Sequence, residues 1–284
     1  MATKHYLHAE SYNTSGGTFP SGEQDSQAAD FTATGANTLK LLSSAIGTAQ
    51  ATQSGATSAT TSNQAGFMGF WATAPLDSNQ TVGGGIETIT VNIAESESNL
   101  SANFCINKCH AYVWRPSTGA VVGDLCTYAS IVVGTPLEPT SASSEQVTTF
   151  SVILASVSAL TGDVIIVELW ADFTQGSATS YTASLYYDGT TENTVENTVV
   201  SNHASFVEFS QNFTFTAPGV SLTQNEAITI FESTADSQAF VTQTEAITIF
   251  ESTAVSQAFI TQMQAIVLYI PQAASRRHNI IIAT

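Results

Sequence analysis

Apolar and polar residues alternate through much of the region between residues 67 and 218, a pattern typical of β-strands with one buried face. In 86–94, Ile89, Val91 and Ile93 occupy one set of alternate positions, and threonine and asparagine dominate the other. The run 164–167 is continuously apolar, which predicts a strand buried on both faces. The other strands predicted from this pattern are 67–74, 104–114, 147–154, 179–187 and 204–216.

Turn-forming residues separate these strands. Gly83-Gly84-Gly85 predicts a tight turn, Asp188-Gly189 a hairpin, and Pro116 with Gly119 a loop. About eight short strands without a helical period indicate an all-β fold, and we predict a jelly-roll-like β-sandwich over residues 67–218.

Residues 1–66 have few long apolar runs and are rich in serine, threonine, glycine, alanine and glutamine. We predict an extended N-terminal arm that orders only against something else. Short apolar clusters at Tyr6-Leu7 and at 39–46, the second suggested as a short helix, would anchor this arm.

An internal repeat occupies the C-terminal region, residues 219–284. Residues 223–241 and 242–260 are the same 19-residue unit, identical at 16 of 19 positions, and 261–266 begins a third, degenerate copy. One unit has too few apolar residues to bury its own faces, so it must stack on a neighbour or on another chain. We therefore predict β-strands that assemble the protein. The residues assigned to this role are Ile228, Ile230, Phe231, Ile247, Ile249, Phe250, Ile266 and Leu268.

Composition supports an all-β fold and limits the partners. Serine and threonine, 33 and 40 residues, make up about a quarter of the chain, and 43% of the residues are hydrophobic. Six lysines and arginines stand against 23 aspartates and glutamates, for a net charge of -17. A nucleic-acid or anionic-membrane partner needs clustered cations, so neither is expected.

Cysteine usage and the N-terminal sequence indicate a reducing compartment. Cys105 and Cys109 fall in one predicted strand, roughly 13 Å apart, too far for a disulfide. Residues 1–10 lack the apolar stretch of a secretory signal, and no apolar run approaches the ~18 residues of a membrane helix. We expect buried, reduced thiols in a protein made in a reducing cytoplasm.

Motifs for catalysis are absent from the sequence. There is no Gly-x-Ser-x-Gly elbow, no phosphate-binding loop ending Gly-Lys-Ser/Thr and no His-Glu-x-x-His pair. No pattern singles out any of the five histidines as a base. We predict no catalytic residues, no cofactor and no enzymatic activity.

Three weaker sites are alternatives to purely structural roles. Cys105, Cys109 and His110 are candidate metal ligands, but the two cysteines lie roughly 13 Å apart on a strand and cannot bind one ion without a turn between them. Asp188, Glu192 and Glu196 have the composition of a loose calcium loop, against a solvated acidic turn. The three tryptophans, Trp71, Trp114 and Trp170, would stack on a sugar if exposed, but their apolar surroundings favour core packing.

Five short motifs carry a resemblance to a known group of proteins. They are Tyr6-Leu7-His8 with Pro20-Ser21-Gly22-Glu23-Gln24, Tyr112-Val113-Trp114-Arg115-Pro116-Ser117, Thr174-Gln175-Gly176, Tyr186-Tyr187-Asp188-Gly189-Thr190-Thr191, and Ser201-Asn202-His203-Ala204-Ser205-Phe206. With the C-terminal repeats, nearly the whole chain resembles structural proteins of tailed-bacteriophage virions, which carry short tandem repeats that begin Val-Thr-Gln. The strand part of the repeat departs from that pattern and reads Glu-Ala-Ile-Thr-Ile-Phe here.

This resemblance implies a non-enzymatic virion protein: a capsid decoration, head fibre or tail-fibre component. It would be a homo-oligomer, with a trimer as the expected state, attached to other virion proteins such as capsid or tail subunits. The alternative is a carbohydrate-binding or adhesive module that recognises a host-surface glycan through exposed aromatic side chains.

Overall fold

The computed structural model describes residues 2–12, 17–60, 62–100, 102–128, 131–133, 139–175 and 178–216, together with six short strands beyond residue 216. All regular secondary structure in these residues is β-strand. The strands up to residue 216 are β1 Thr3–Ser11, β2 Phe31–Thr32, β3 Lys40–Ser43, β4 Ala51–Ala56, β5 Gln64–Ala72, β6 Gln80–Val82, β7 Thr88–Glu97, β8 Ala102–Arg115, β9 Ala120–Cys126, β10 Ile131–Val133, β11 Gln146–Ile153, β12 Val157–Ala159, β13 Val164–Gln175, β14 Thr182–Tyr187 and β15 Phe206–Phe209. The later strands are β16 Thr229–Glu232, β17 Gln238–Val241, β18 Ile247–Glu251, β19 Gln257–Ile260, β20 Ile266–Tyr269 and β21 Ile281–Ile282.

Thirteen of the first fifteen strands form one large mixed sheet that folds back into a sandwich. Its main path runs β10-β11-β7-β15-β1-β3-β5-β13-β8-β9, and β2, β4 and β14 branch from it. The two ends of the path meet in the interior, where β8 packs against β7 and β11. The side chain of Glu95 in β7 crosses between the layers and accepts a hydrogen bond from the backbone N–H of Ile106 in β8. The predicted all-β β-sandwich is confirmed.

The centre of the core is β13, which lies between β5 and β8. The apolar run Val164-Ile165-Ile166-Val167 is buried on both faces, as its sequence predicts. Aromatic rings of β5 and β13 pack together below it: the centroids of Phe67 and Trp170 lie 5.3 Å apart.

Residues 1–66 are part of the sandwich, which corrects the prediction of a separate N-terminal arm. β1 pairs with β15 on one side and β3 on the other, which places the start of the chain beside residues 206–209. The boundary predicted after residue 66 falls inside β5, and β3 lies where a short helix was suggested. These strands gain their buried contacts from distant parts of the chain, so the local sequence does not show that they belong to the sandwich.

The three-glycine turn is confirmed, and its backbone explains its composition. Gly83, Gly84 and Gly85 have φ of 72°, 99° and 67°, a region that favours glycine. A Cβ at Gly83 would also lie 2.2 Å from the carbonyl oxygen of Ala155. Only glycine therefore fits the first position of this turn.

The chain divides into two compact units, Met1–Gly219 and Val220–Thr284. The sequence places the boundary at nearly the same point, after residue 218. Within the described part of the chain, no helix has the length and apolarity that a bilayer crossing requires.

Candidate assembly region

The repeats of the second unit form two sheets, and the strands within each sheet are parallel. One sheet has the order β16-β18-β20 and the other β17-β19-β21. Consecutive strands along the chain thus belong alternately to the two sheets, so each 19-residue unit contributes one strand to each. Parallel pairing between neighbouring repeats is the geometry of a solenoid, in which one repeat forms one coil.

The register aligns equivalent positions of successive repeats. In the first sheet it creates two apolar ladders, which we call the aliphatic ladder and the aromatic ladder. They consist of Ile230, Ile249 and Leu268, and of Phe231, Phe250 and Tyr269, respectively. Because neighbouring residues of a strand lie on opposite faces, the two ladders occupy the two faces of one sheet.

The second sheet repeats this arrangement. Phe240, Phe259 and Ile281 are aligned at one position, and Val241, Ile260 and Ile282 at the next, so apolar residues again occupy both faces. The described strands therefore present four faces with apolar positions. Two sheets can cover at most one face of each other.

The strand edges of the second unit offer backbone groups for pairing. Among the described strands, β16 and β17 at one end, and β20 and β21 at the other, each have one ladder neighbour. A strand with one neighbour leaves a row of N–H and C=O groups on its other side. The described stack can thus accept further strands along its axis.

Seven of the eight residues assigned to assembly lie at register positions of this stack. Ile247 pairs with Ile266, and the other five belong to the two ladders. Ile228 lies outside the described residues. The contact of these residues with another chain stays a prediction.

The third copy departs from the repeat in its second strand. Phe259 pairs with Ile281, 22 residues further along, whereas the repeat spacing is 19. The apolar segment near the C-terminus thus supplies the last of the described strands, Ile281–Ile282.

A group of ionisable side chains surrounds the buried His110 in the sandwich, and we call it the His110 cluster. The Nε2 atom of His110 lies 3.0 Å from Asp124 Oδ1, and its Nδ1 atom lies 3.3 Å from Glu168 Oε2 and 3.7 Å from Asp25 Oδ2. The Tyr112 hydroxyl donates to Glu168 Oε1 at 3.1 Å. Adjacent strands β9, β8 and β13 supply all of these residues except Asp25, which comes from the loop 20–28.

The charges of this cluster hold that loop on the sheet. Burial lowers the pKa of His110, but hydrogen bonds and the negative charges of Glu168, Asp124 and Asp25 outweigh it and raise the pKa to about 9. The backbone N–H of Gln24 donates to Glu168 Oε1 at 2.7 Å. A protonated His110 therefore balances carboxylates from three segments and links the loop to the strands.

Sequence reasoning missed this cluster because its members come from positions far apart in the chain. The available signal was Glu168, a single charged residue inside the apolar stretch of β13 that is completely buried in the structure. A charge in that position requires a buried partner of opposite sign.

The acidic loop considered for calcium is not a converging site. Asp188 lies 3.0 Å from the Nδ1 atom of His8, Glu192 forms an ion pair with Lys4 at 3.0 Å, and Glu196 accepts a hydrogen bond from the backbone of Thr149. Each carboxylate thus has its own protein partner. In the part of the chain that the structure describes, no three histidine, cysteine, aspartate or glutamate side chains are arranged so that they could hold a metal ion.

The tryptophans are buried, as their apolar surroundings predict. Trp71, Trp114 and Trp170 are 1%, 5% and 0% exposed. The indole N–H groups of Trp71 and Trp114 donate to the backbone carbonyls of His8 and Thr18, which fixes both rings inside the fold. They form no platform for a sugar.

Comparison with known proteins identifies no family. No family model matches the chain, and no curated protein matches its sequence. A CocE/NonD family hydrolase from Staphylococcus aureus has 7% identity and a TM-score of 0.40, covering 74% of this chain and 36% of the hydrolase. An aminopeptidase from a marine sediment Thaumarchaeota archaeon has 11% identity and a TM-score of 0.32, covering 59% of this chain and 34% of the aminopeptidase. The chain thus spans about a third of each, and these likenesses assign no function.

Proposed function

We propose that the chain is a non-enzymatic structural protein of a tailed-bacteriophage virion, a capsid decoration, head fibre or tail-fibre component. Its C-terminal repeats form a homo-oligomer and attach the sandwich to other virion subunits. The observation that carries this proposal is the pair of apolar ladders on opposite faces of the β16-β18-β20 sheet.

The size of one ladder makes an uncovered face costly. Burial of a large apolar side chain stabilises a protein by about 1.5–3 kcal/mol, so three rungs of the aromatic ladder correspond to about 5–9 kcal/mol. That range overlaps the total stability of an ordinary domain, about 5–15 kcal/mol. Contact with a second chain recovers this free energy.

A second copy of the same chain is the natural occupant of such a face. The ladder repeats one residue type along the stack, so a symmetry-related copy presents a matching apolar surface. Closed rotational symmetry limits the assembly to a defined size, and we propose a trimer.

The charge of the chain is consistent with a place on the outside of a particle. With a net charge of -17, the protein is repelled by DNA and has few cations to bind it. We therefore propose that the sandwich faces outward from the DNA-filled shell and that its partners are virion proteins.

The sandwich supplies reasons to prefer a structural role over the alternatives. In the His110 cluster the titratable groups bind one another and a loop of the same chain. The exposed tryptophans that an adhesive module would use are absent, since all three are buried. We therefore propose neither an enzyme nor a glycan-binding module.

Incorporation into particles tests this function. Phage particles carrying the Phe250→Asp variant would be purified and their content of this chain measured by mass spectrometry. Val199→Asp is the matched control, because it adds the same charge at an aliphatic residue that is 61% exposed in the sandwich. We expect the control at the wild-type copy number and Phe250→Asp reduced at least tenfold.

The two parts of the proposal fail separately in this experiment. Absence of the wild-type chain from purified particles would overturn the virion role. Full incorporation of Phe250→Asp would overturn the role of the aromatic ladder and leave the virion role standing.

A further inference from the structure

Two cysteines on adjacent strands lie in contact in the interior of the sandwich. The Sγ atoms of Cys109 in β8 and Cys126 in β9 are 3.6 Å apart, and the residues are 0% and 4% exposed. The direct partner of Cys126 across the strand pair is Ala111, two residues from Cys109. The cysteines are therefore diagonal neighbours on one face of the sheet.

The third cysteine has a different environment. The thiol of Cys105 points to Glu95 and donates to its Oε1 atom at 3.5 Å. The chain thus contains one pair of neighbouring thiols and one thiol bound to a carboxylate.

We propose that Cys109 and Cys126 are a modification site, at which oxidation by a small-molecule disulfide forms an intrachain cross-link between β8 and β9. A thiolate from one cysteine attacks the small disulfide and releases one thiol. The second cysteine then attacks the mixed disulfide, forms the Cys109–Cys126 bond and releases the second thiol. Overall, two protein thiols lose two protons and two electrons, and one small disulfide is reduced to two thiols. The proposal does not depend on a virion role.

The position of Cys126 gives the reaction access and room. Cys126 is the last residue of β9, the strand at one end of the sheet path, and strand ends open more readily than strand centres. The register of β8 and β9 shifts between Ala111 and Tyr112, next to Cys126. This irregularity lets the strand end adjust while the sulfur atoms approach from 3.6 Å to about 2 Å.

Burial keeps the pair reduced until such an opening occurs. The hydrogen bond with Cys126 and desolvation raise the pKa of Cys109, so its thiolate is scarce in the closed state. The cross-link therefore forms slowly and persists after closure, when the new bond is shielded from external thiols. A protein made in a reducing compartment acquires it only after release.

The cross-link has a predictable effect on stability. The two cysteines are 17 residues apart in sequence. Closing a loop of this length in the unfolded chain favours folding on the order of a hundredfold in the equilibrium constant. Oxidation should therefore raise the urea midpoint of the sandwich.

The test uses the full chain, first reduced and then equilibrated with oxidised glutathione under native conditions. Remaining thiols are alkylated, and the chain is cleaved on the amino side of aspartates, which separates the two cysteines at Asp124. We expect one alkylated cysteine, a cross-linked peptide joining Cys109 to Cys126, and a higher urea midpoint. Cys105→Ser, which replaces the thiol that donates to Glu95 by a hydroxyl, should behave like wild type. Cys126→Ser should form no intrachain cross-link.

The exposure time is set by the urea-unfolded chain, which must be cross-linked by the same oxidant within it. Three results after that time would overturn the proposal: three alkylated cysteines, a cross-link to Cys105, or glutathione adducts without a cross-link. If Cys126→Ser fails to fold, Cys126→Ala provides the second variant, since the site is apolar and tolerates a small side chain.

Discussion

Glu95 provides the sharpest quantitative test of the sandwich interior. Its side chain is 0% exposed on β7 and accepts hydrogen bonds from the Thr148 hydroxyl, the Ile106 backbone N–H and the Cys105 thiol. Burial raises the pKa of Glu95 from 4.5 to about 7, and the three donors offset only part of this shift. We predict that Glu95→Gln, which cannot ionise, removes a specific pH dependence of stability.

The direction and size of this dependence follow from the two pKa values. Between pH 4.5 and 7 the folded chain holds a proton on Glu95 that the unfolded chain has lost, so the contribution of Glu95 to stability falls as the pH rises. At 1.36 kcal/mol per pKa unit, the fall from pH 4.5 to above pH 7 amounts to about 3 kcal/mol.

Urea unfolding followed by tryptophan fluorescence measures this change. All three tryptophans lie in Met1–Gly219, so the signal reports the sandwich alone. Burial lowers the pKa of His5 and of His203 to about 4, which gives a dependence of opposite sign in the same pH range. The informative quantity is therefore the difference in unfolding free energy between wild type and Glu95→Gln, measured at pH 5 and at pH 8.

Relative to the variant, wild type should lose about 2.5 kcal/mol between these pH values. Glu10→Gln is the matched control, because Glu10 is exposed on β1 and its replacement should leave the wild-type dependence unchanged. Parallel pH curves for wild type and Glu95→Gln would refute the reasoning that burial controls this carboxyl group.

Three further predictions concern other parts of the molecule. Because the pKa of His110 is raised to about 9, its contribution to stability is present below pH 6.5 and is lost as the pH rises through 9. This loss amounts to about 3 kcal/mol in the free energy of unfolding, and urea unfolding of His110→Gln should not show it. Gly66→Ala should destabilise the sandwich by about 1–3 kcal/mol in the same assay, since a Cβ would lie 1.9 Å from the Phe31 ring. Double substitution of Ile247 and Ile249 by aspartate should disrupt the repeat region, which circular dichroism would show as a loss of strand signal. The unfolding curve followed by tryptophan fluorescence should stay unchanged, and joint unfolding of both regions would contradict the two-unit division.

The strands that sequence predicts well are those whose burial is visible locally. Val164-Ile165-Ile166-Val167 is apolar at every position, and the structure buries it on both faces. The repeats show their own alignment, because identical residues such as Phe231 and Phe250 fall opposite each other in a parallel pair. In both cases a short stretch of sequence contains the residues that cause the burial or the alignment.

What the sequence does not reveal depends on pairing between distant segments. β1 is recognisable only through its partners, since Thr3 pairs with Phe209 near the other end of the sandwich. The contact between Cys109 and Cys126 requires the register of β8 on β9, including its irregularity. Local composition does not record contacts between distant segments, so the sequence of the N-terminal strands predicts an extended arm.

The central claim, that the repeats join copies of this chain, is tested most directly by sedimentation equilibrium of the full chain at micromolar concentration. We predict a mass near three times 29.8 kDa for wild type and for Val199→Asp, and a mass near 29.8 kDa for Phe250→Asp. A wild-type chain that sediments as a monomer, with no change on Phe250→Asp substitution, would contradict it.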